Sequence, residues 1–252
     1  MTDQDGTRRP KYQRIADELR SAIQSGAFAP GDRLPGENDL MSTYEVARMT
    51  ARQALAVLRG EGLTEARKGA GVFVRAFRPL RRRGIPRLAG EGWAGGRSVW
   101  AAEVENRALV VDQIVVAEKE AGARVAGALN LPPDAPVCVR SRRFVLDDKP
   151  VLLSVSYLSA DLVRGTPITQ PDTGPGGTYA RLTELGHRPV HFREEIRCRM
   201  PTADETTRLA LPLGTPVVLI GRTAFTGPGR AVELNEMTLD ASSYILEYDF
   251  DA

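Results

Sequence analysis

Two arginines in the first part of the chain have the type and spacing of groups that recognise nucleic acid. Arg48 and Arg52 stand four residues apart, so in a helix they share one face, whereas Ala51 and Leu55 point another way. A bidentate arginine contact to guanine in the major groove is worth about 1–3 kcal/mol of discrimination. Gln53, beside Arg52, is a further candidate contact. The pattern predicts a helix that is anchored on its apolar side and suited to the major groove.

Such a helix needs a small core to hold it, and the neighbouring residues can supply one. Apolar residues at helical spacing before Gly26 predict a first helix over residues 11–25. A connector rich in proline and glycine follows, and then a short helix over residues 37–44. The third helix, over residues 48–60, carries the two arginines. Three helices of this length enclose one core.

A hairpin after the third helix completes the predicted module. Residues 63–74 form two short strands around a Lys-Gly-Ala-Gly turn. Gly69 permits a positive φ at the tip, and Arg67 and Lys68 place positive charge there. Three helices and a hairpin make a winged helix-turn-helix, predicted over residues 8–76. The alternative is a small helical domain with a solvated, charged face.

Size and charge distribution indicate a second domain of different character. The 252 residues, 42% of them hydrophobic, suffice for two domains with separate cores. Residues 1–83 hold 16 Lys and Arg against 10 Asp and Glu, net +6, and the remainder hold 18 against 22, net −4. Phosphate contacts need cations along the path of the DNA backbone. The asymmetry favours nucleic acid as a partner of the first domain only.

Residues 77–99 are predicted to be a linker. They are rich in arginine, proline and glycine, and they include the run Arg81-Arg82-Arg83, interpreted as solvated charge. Residues 90–95 fit the spacing GxGxxG, but no convincing strand precedes them, which argues against a dinucleotide site. No cofactor is therefore expected. A second domain is predicted over residues 100–252.

The second domain interleaves strands and helices. Apolar or alternating runs predict strands over residues 108–117, 137–146, 151–157, 190–198, 217–225, 231–239 and 244–250. Helical spacing, and a capping box formed by Thr202 and Glu205, predict helices over residues 118–129, 178–185 and 203–211. Antiparallel strands with a few helices on one side make an α+β domain.

The segment Gly31-Asp32-Arg33-Leu34-Pro35-Gly36-Glu37 and the helices after it resemble the GntR-type bacterial transcription regulators. The resemblance covers residues 12–74 closely. Where the family usually reads Leu-Pro-Ser-Glu-Arg, this chain has Gly36 in place of the serine and Asn38 in place of the arginine. A serine before the family's recognition helix is replaced by Ala47, which removes an N-cap oxygen whose loss typically costs about 1 kcal/mol.

The resemblance assigns operator contacts to the third helix and to the wing, in agreement with the chemistry of the residues. The candidate DNA contacts are Arg48, Thr50, Arg52, Gln53, Arg67, Lys68 and Gly69. Regulators of this kind resemble symmetric dimers, which read half-sites about one helical turn, roughly 34 Å, apart. The implied partners are a second copy of the chain and a double-stranded DNA operator with an inverted repeat.

The second domain resembles the effector-sensing domain of the HutC subfamily, whose fold is shared with chorismate lyase. This looser resemblance covers about residues 100–250. It rests on the turn at residues 147–150, the segments 155–158 and 176–179, and the strand that begins at Tyr244. It implies a small-molecule effector and an antiparallel α+β fold.

Members that bind phosphosugars place two arginines, one residue apart, on the first strand of that hairpin. Here Arg142 fits the first position and Phe144 occupies the second, with Arg140 as a stand-in on the same face, which argues against a phosphosugar. The candidate effector-binding residues are Arg140, Arg142, Tyr157, Tyr179, Glu233 and Tyr244. Each of these could instead be a satisfied strand or surface residue, and Arg140 could pair with Glu194 or Glu195.

No catalytic or metal-binding constellation is visible. The two histidines, His187 and His191, lie in one strand region, and the chain has no HExxH, no GxSxG and no P-loop. Cys138 and Cys198 are far apart and outside any CxxC pair, so both are interpreted as strand residues. No apolar run approaches the roughly 20 residues that span a bilayer, and the start lacks the features of a signal peptide. A cytoplasmic protein that is not an enzyme is expected.

Three functions remain open. The favoured one is a sequence-specific DNA-binding transcription regulator, a repressor that a small-molecule effector releases from its operator. The alternative is a DNA-binding regulator or plasmid-maintenance protein whose second domain only dimerises, and the third is an enzyme with an attached DNA module. Operator release by a small molecule, unchanged operator binding across metabolites, and product turnover distinguish the three.

Overall fold

The computed structural model describes residues 9–76, 80–84, 88 and 108–250. The chain forms two compact units, which divide after residue 78, except that Pro212–Thr215 groups with the first unit. Each unit has a hydrophobic core of its own. Most of the predicted linker, including the glycine-rich residues 90–95, lies outside the described residues.

The N-terminal unit is a winged helix-turn-helix, as predicted. Buried residues of the three helices, among them Leu19, Leu40 and Leu58, pack into one core that Val74 of the hairpin completes. The two hairpin strands pair antiparallel, with Thr64 opposite Val74. The elements are α1 (Lys11–Gln24), α2 (Glu37–Tyr44), α3 (Arg48–Gly60), β1 (Thr64–Arg67) and β2 (Gly71–Val74).

The C-terminal unit is built on a six-stranded sheet whose neighbouring strands all pair antiparallel. This confirms the predicted α+β class. In order across the sheet, the strands are β4 (Leu109–Glu120), β5 (Pro136–Leu146), β6 (Lys149–Ser159), β9 (Ala231–Asp240), β8 (Val217–Thr226) and β7 (Pro189–Arg199). The helices are α4 (Gly122–Leu129), α5 (Ala160–Val163), α6 (Gly177–Glu184) and α7 (Ala203–Arg208).

Helices cover both faces of this sheet, which corrects the expectation that they lie on one side. Val137 and Cys138 are neighbours in β5, so their side chains point to opposite faces. Cys138 packs with Leu182 of α6, whereas Val137 packs with Val125 of α4. We call these faces of the sheet the α6 face and the α4 face.

The start of α4 also differs from the prediction. The segment expected to begin a helix at residue 118 continues β4 instead, because Glu118 and Glu120 stay in register with β5. The helix begins only at Gly122, where φ is +66°. Helical spacing within residues 118–129 therefore marks only the second part of the segment.

Four residues of the predicted linker form a strand, which corrects that part of the domain assignment. β3 (Leu80–Arg83) pairs in parallel with β10 (Tyr244–Glu247). Leu80 and Arg82 are buried, and the residues between and after them are exposed. The sequence does not reveal this alternation of buried and exposed side chains, because three of the four residues in the strand are charged.

Arg82 is fully buried and holds β3 on the C-terminal unit. Its guanidinium donates hydrogen bonds to both carboxylate oxygens of Glu194, at 2.6 and 3.1 Å. The Tyr248 hydroxyl donates to the same carboxylate at 2.8 Å. At Gly84 the Tyr248 ring occupies the space that a Cβ would fill. The arginine that was interpreted as solvated charge is thus one half of a buried ion pair.

The predicted capping box begins α7. The Thr202 hydroxyl accepts a hydrogen bond from the Glu205 N–H at 3.3 Å, and the Glu205 carboxylate accepts one from the Thr202 N–H at 2.8 Å. Arg199 donates two further bonds to this carboxylate, each of 2.7 Å. These bonds from Arg199, more than the one from Thr202, lower the pKa of Glu205 to about 2.

We expect Glu205→Gln to lower the free energy of unfolding at neutral pH and to lose this effect in acid. The folded-state pKa lies below the ordinary value of 4.5, so the ionised carboxylate stabilises the fold above that pH. The stabilisation disappears as the pH falls from about 4.5 towards about 2. Urea unfolding of both proteins across this range measures the difference. A difference that stays constant with pH contradicts the expectation.

Candidate functional site

The outward side of α3 carries the residues predicted to contact DNA. Arg48, Arg52 and Gln53 are exposed and Thr50 is half-buried, while the apolar side of the helix packs into the core. Ala47 occupies the N-cap without a side-chain hydrogen bond, as expected. The structure therefore presents these polar side chains on a helix that is anchored from behind.

The two arginines of α3 contact the start of α2. Arg52 donates hydrogen bonds to both Glu37 carboxylate oxygens, at 2.8 and 3.1 Å, and Arg48 donates to the Asn38 side-chain oxygen at 3.2 Å. The hydrogen bond from Arg52 is the main reason that the pKa of Glu37 lies below its ordinary range. Since these pairs are 15 and 10 residues apart, no local pattern in the sequence signalled them.

The wing is a two-stranded hairpin with an exposed, basic tip. Arg67, Lys68 and Gly69 are all exposed. Arg67 donates to the Glu65 carboxylate at 3.0 Å, and its guanidinium lies 4.3 Å from the centre of the Phe73 ring. Gly69 has a φ of +74°, the positive value expected at this turn. The tip can therefore approach a phosphate backbone closely.

A cleft of about 410 Å³ opens on the α6 face of the C-terminal sheet. It lies between the sheet and the N-terminal end of α6, and its size is that of a small-molecule site. Its polar lining residues include Arg140, Arg142, Tyr179, Arg222, Glu233 and Asn235. Four of the six predicted effector residues, Arg140, Arg142, Tyr179 and Glu233, are thus brought together.

Arg140 is buried and holds the chain that borders the cleft. Its guanidinium donates to the backbone carbonyls of Ile168 and Gln170 and to that of Pro171 at 3.0 Å. Burial lowers the pKa of Arg140. The alternative pairing with Glu194 is not what forms, because that carboxylate binds Arg82. Arg140 positions a wall of the cleft.

Arg142 also lines the cleft, and not all of its hydrogen-bond donors have a partner among the described residues. One of its terminal nitrogens donates to the Ser156 hydroxyl at 2.6 Å. Its Nε atom is buried and has no hydrogen-bond partner within the described residues. Burial lowers the pKa of Arg142 to about 10, and the charge of Glu233 partly opposes this effect. The guanidinium therefore remains charged at neutral pH in a poorly hydrated place.

Tyr179 and Glu233 form the opposite polar wall. The Tyr179 hydroxyl donates to the Glu233 carboxylate at 2.6 Å, and both residues are buried. The Tyr179 ring packs against Phe192 at a centroid distance of 5.5 Å, and the Arg222 guanidinium lies 5.4 Å from its centre. The carboxylate and the ring are thus held in place from several sides.

Two predicted effector residues lie away from the cleft. Tyr157 follows Ser156 in β6, and because Ser156 faces Arg142, Tyr157 points to the α4 face. Burial there, followed by the charge of Glu236, raises the pKa of Tyr157. Tyr244 is buried at the start of β10, in the core that Leu80 joins. The family resemblance covers the segments of both tyrosines, but it does not establish the face to which each side chain points.

Two polar residues of the cleft were missed from the sequence. Arg222 stands on the α6 face of β8, and Asn235, opposite it on β9, accepts a hydrogen bond from Ser154 at 2.9 Å. A signal for Arg222 was present, because a charged residue within an apolar strand is seldom buried without a role. Asn235 offered no comparable signal.

Comparison with known proteins identifies the family. The model for bacterial regulatory proteins of the gntR family matches residues 11–74, and the model for the UTRA domain matches residues 105–245. The chain is 32% identical to an HTH-type transcriptional regulator of Streptomyces coelicolor over 96% of this chain and 93% of that protein. The chain belongs to the GntR family. It is a DNA-binding transcription regulator with a UTRA domain rather than an enzyme.

Other relatives support the predicted HutC-type arrangement of this GntR regulator. The HTH-type transcriptional repressor NagR of Bacillus subtilis is 25% identical over 89% of this chain and 88% of its own. The crystal structure of a GntR-family transcriptional regulator shares 27% identity, covers 97% of this chain and 98% of its own, and has a TM-score of 0.65. PhnF from Mycobacterium smegmatis shares 25% identity over 94% and 99% of the two chains, with a TM-score of 0.59.

Among the residues that the structure describes, no helix is both long and apolar enough to cross a membrane. Within the same residues, no group of three His, Cys, Asp or Glu side chains is placed to hold a metal ion. Cys138 is buried and Cys198 is exposed, and both are free thiols.

Proposed function

We propose that this GntR regulator is a cytoplasmic homodimeric repressor that binds an inverted-repeat DNA operator and is released by a small-molecule effector. The observation that carries the proposal is the outward side of α3, where Arg48 and Arg52 are exposed on a helix anchored by its apolar side. The repressor NagR of Bacillus subtilis is similar over most of both chains, which supports repression as the sign of regulation.

In this proposal α3 enters the major groove and the wing follows the DNA backbone. Arginine donors of α3 read base edges, and the basic wing tip contacts phosphate or the adjacent groove. Arg48 and Arg52 contribute most, because Asn38 stands where the family pattern has an arginine that commonly touches the DNA backbone. The residues assigned to DNA are Arg48, Thr50, Arg52, Gln53, Arg67, Lys68 and Gly69.

The effector occupies the cleft on the α6 face in this proposal. Arg142, Tyr179 and Glu233 face the ligand, and Arg222 and Asn235 join them, since all five line the cleft. Arg140 acts indirectly by holding the carbonyl groups of the bordering chain. Tyr157 and Tyr244 leave the set because their side chains lie elsewhere.

Effector binding changes operator affinity only if the ligand binds two arrangements of the dimer with different affinity. Couplings of this kind are typically about 1–3 kcal/mol, which corresponds to roughly 5- to 150-fold in operator affinity. The same coupling acts in reverse, so operator DNA lowers the affinity for the effector by the same factor.

We expect the regulator to shift DNA from upstream of its own gene in a gel. Footprinting of the same DNA should show protection of two half-sites roughly 34 Å apart. Thermal-shift screening of a metabolite library identifies effectors, since a ligand at 100 times its Kd adds about 2.7 kcal/mol of stability. An identified effector should weaken the gel shift at fixed salt. Operator binding that no stabilising ligand alters would favour the alternative, a second domain that only dimerises.

A further inference from the structure

The lining of the cleft narrows the chemical class of the effector, an inference that rests on the proposed function of the cleft. The lining residues include the arginines Arg140, Arg142 and Arg222 and the acidic residues Asp172 and Glu233, a net formal charge of +1. A charge that is removed from water is costly unless a partner of opposite sign joins it. One negative charge on a ligand balances the lining.

The arginines differ in what they can offer that ligand. The Arg140 guanidinium already donates to three backbone carbonyls. The shorter of the two hydrogen bonds from Arg142 goes to the Ser156 hydroxyl, a neutral acceptor, and its buried Nε has no partner among the described residues. A guanidinium bonds a planar carboxylate through two parallel hydrogen bonds. Of these two arginines, Arg142 is therefore the one that can anchor an anionic group.

One wall of the cleft is apolar. Phe144, Val111 and Ile114 line it, and Phe144 is buried whereas the other two are each 37% exposed. Val111 and Ile114 are three residues apart, yet both face the cleft because a β-bulge between Asp112 and Val115 shifts the register of β4. These side chains give an apolar ligand body a surface to cover.

The other wall disfavours a second anionic group. The buried Glu233 carboxylate accepts a hydrogen bond from the Tyr179 hydroxyl. It also interacts electrostatically with the Arg142 guanidinium. A like charge close to this carboxylate is repelled strongly in a poorly hydrated site. A phosphate ester, which carries nearly two charges at neutral pH, would reverse the sign of the lining charge.

We propose that the effector is a monocarboxylate with an apolar body. Its carboxylate accepts hydrogen bonds from Arg142, and its body lies against Phe144, Val111 and Ile114. Phe144 sets the preference for an apolar ligand body. Its ring presents an apolar surface at the position next to Arg142. The apolar body and the single charge are recognised together, so neither part alone binds well.

The test uses the full chain and ligand-observed NMR, which also detects weak binding. The probes are a panel of straight-chain, branched and aromatic monocarboxylates, including 3-phenylpropionate, each compared with its matched primary alcohol and with acetate. Glucose 6-phosphate represents a phosphosugar. We expect members of the carboxylate panel to bind roughly 10- to 100-fold more tightly than their alcohols, the range for a lost hydrogen bond to a charged group.

Two variants connect this binding to the cleft. Arg142→Gln should abolish the preference of the chain for the carboxylate over the alcohol. Arg143→Gln is the matched control, since Arg143 is the next residue of β5, points to the α4 face and binds Asp112 at 2.6 Å. We expect this control to bind the carboxylates as the unchanged chain does.

The outcomes are decisive and separate this inference from the proposed function. Binding of glucose 6-phosphate without any carboxylate, or binding of no member of the panel, would overturn the inference. If the Arg142→Gln and Arg143→Gln variants lose carboxylate binding equally, the inference is also overturned. Operator binding is measured separately by gel shift, so a chain that binds DNA but no carboxylate refutes only the ligand class. A chain that binds carboxylates but no operator refutes the proposed function instead.

Discussion

Replacing Arg52 by alanine is expected to abolish specific operator binding while leaving the N-terminal unit folded. Arg52 is exposed, and its guanidinium contacts Glu37 rather than the core. Loss of a bidentate contact to guanine lowers affinity by roughly 5- to 150-fold, and a symmetric dimer loses two such contacts. Footprinting at one fixed salt concentration measures the effect, because phosphate contacts make DNA affinity depend on salt.

The control for this experiment removes the same charge elsewhere. Arg230 is exposed in the turn between β8 and β9 of the C-terminal unit, so Arg230→Ala should bind the operator almost normally. The helical circular dichroism of the Arg52→Ala variant should match that of the unchanged chain. Near-normal operator affinity of the Arg52→Ala variant contradicts the assignment of Arg52 to DNA.

The second large effect is expected at the buried ion pair that holds β3. Arg82→Met leaves the Glu194 carboxylate, whose side chain is 8% exposed, without its main cationic partner. Breaking a buried pair in this way typically costs about 3–5 kcal/mol of stability. Urea unfolding of the full chain measures the loss, and hydrogen exchange should rise in β3 and in its partner strand β10.

Two further variants test this interpretation. Arg81→Met removes the preceding arginine, which is 58% exposed and bonds Glu247 at 2.7 Å, so it should cost at most about 1 kcal/mol. The double variant Arg82→Met with Glu194→Met should recover much of the loss, because replacing both partners by apolar side chains leaves no unpaired charge. Similar losses for Arg81→Met and Arg82→Met would show that burial of the pair is unimportant.

The N-terminal unit was almost fully predictable because its signals are local. The apolar stripe of α3, its opposite face with Arg48 and Arg52, and the glycine-rich turn at Gly69 each lie within a few residues. The winged helix-turn-helix and the helix bounds follow from them to within a residue or so. The contacts of these arginines with Glu37 and Asn38 were not predictable, since they join different helices.

The C-terminal unit was predictable as a fold but only partly as a site. Arg142 and Tyr179, which stand at recognisable positions of a hairpin and a helix start, do line the cleft. Tyr157, in contrast, does not line the cleft, because a shift of one residue in a strand moves a side chain to the other face of the sheet. The interpretation of Arg82 as solvated charge was wrong. Its partner Glu194 lies 112 residues away, so no local pattern indicated that the charge is buried.

In the proposed function, the pairing of Arg52 with Glu37 makes the Glu37 carboxylate a competitor of DNA for this arginine. In the absence of DNA the guanidinium fork is already filled by a carboxylate, which offers two acceptors in the plane that guanine also uses. DNA that engages Arg52 as proposed must displace this internal acceptor, and a correctly placed guanine would replace both hydrogen bonds. We therefore expect the Glu37 carboxylate to weaken binding to non-operator DNA more than binding to the operator.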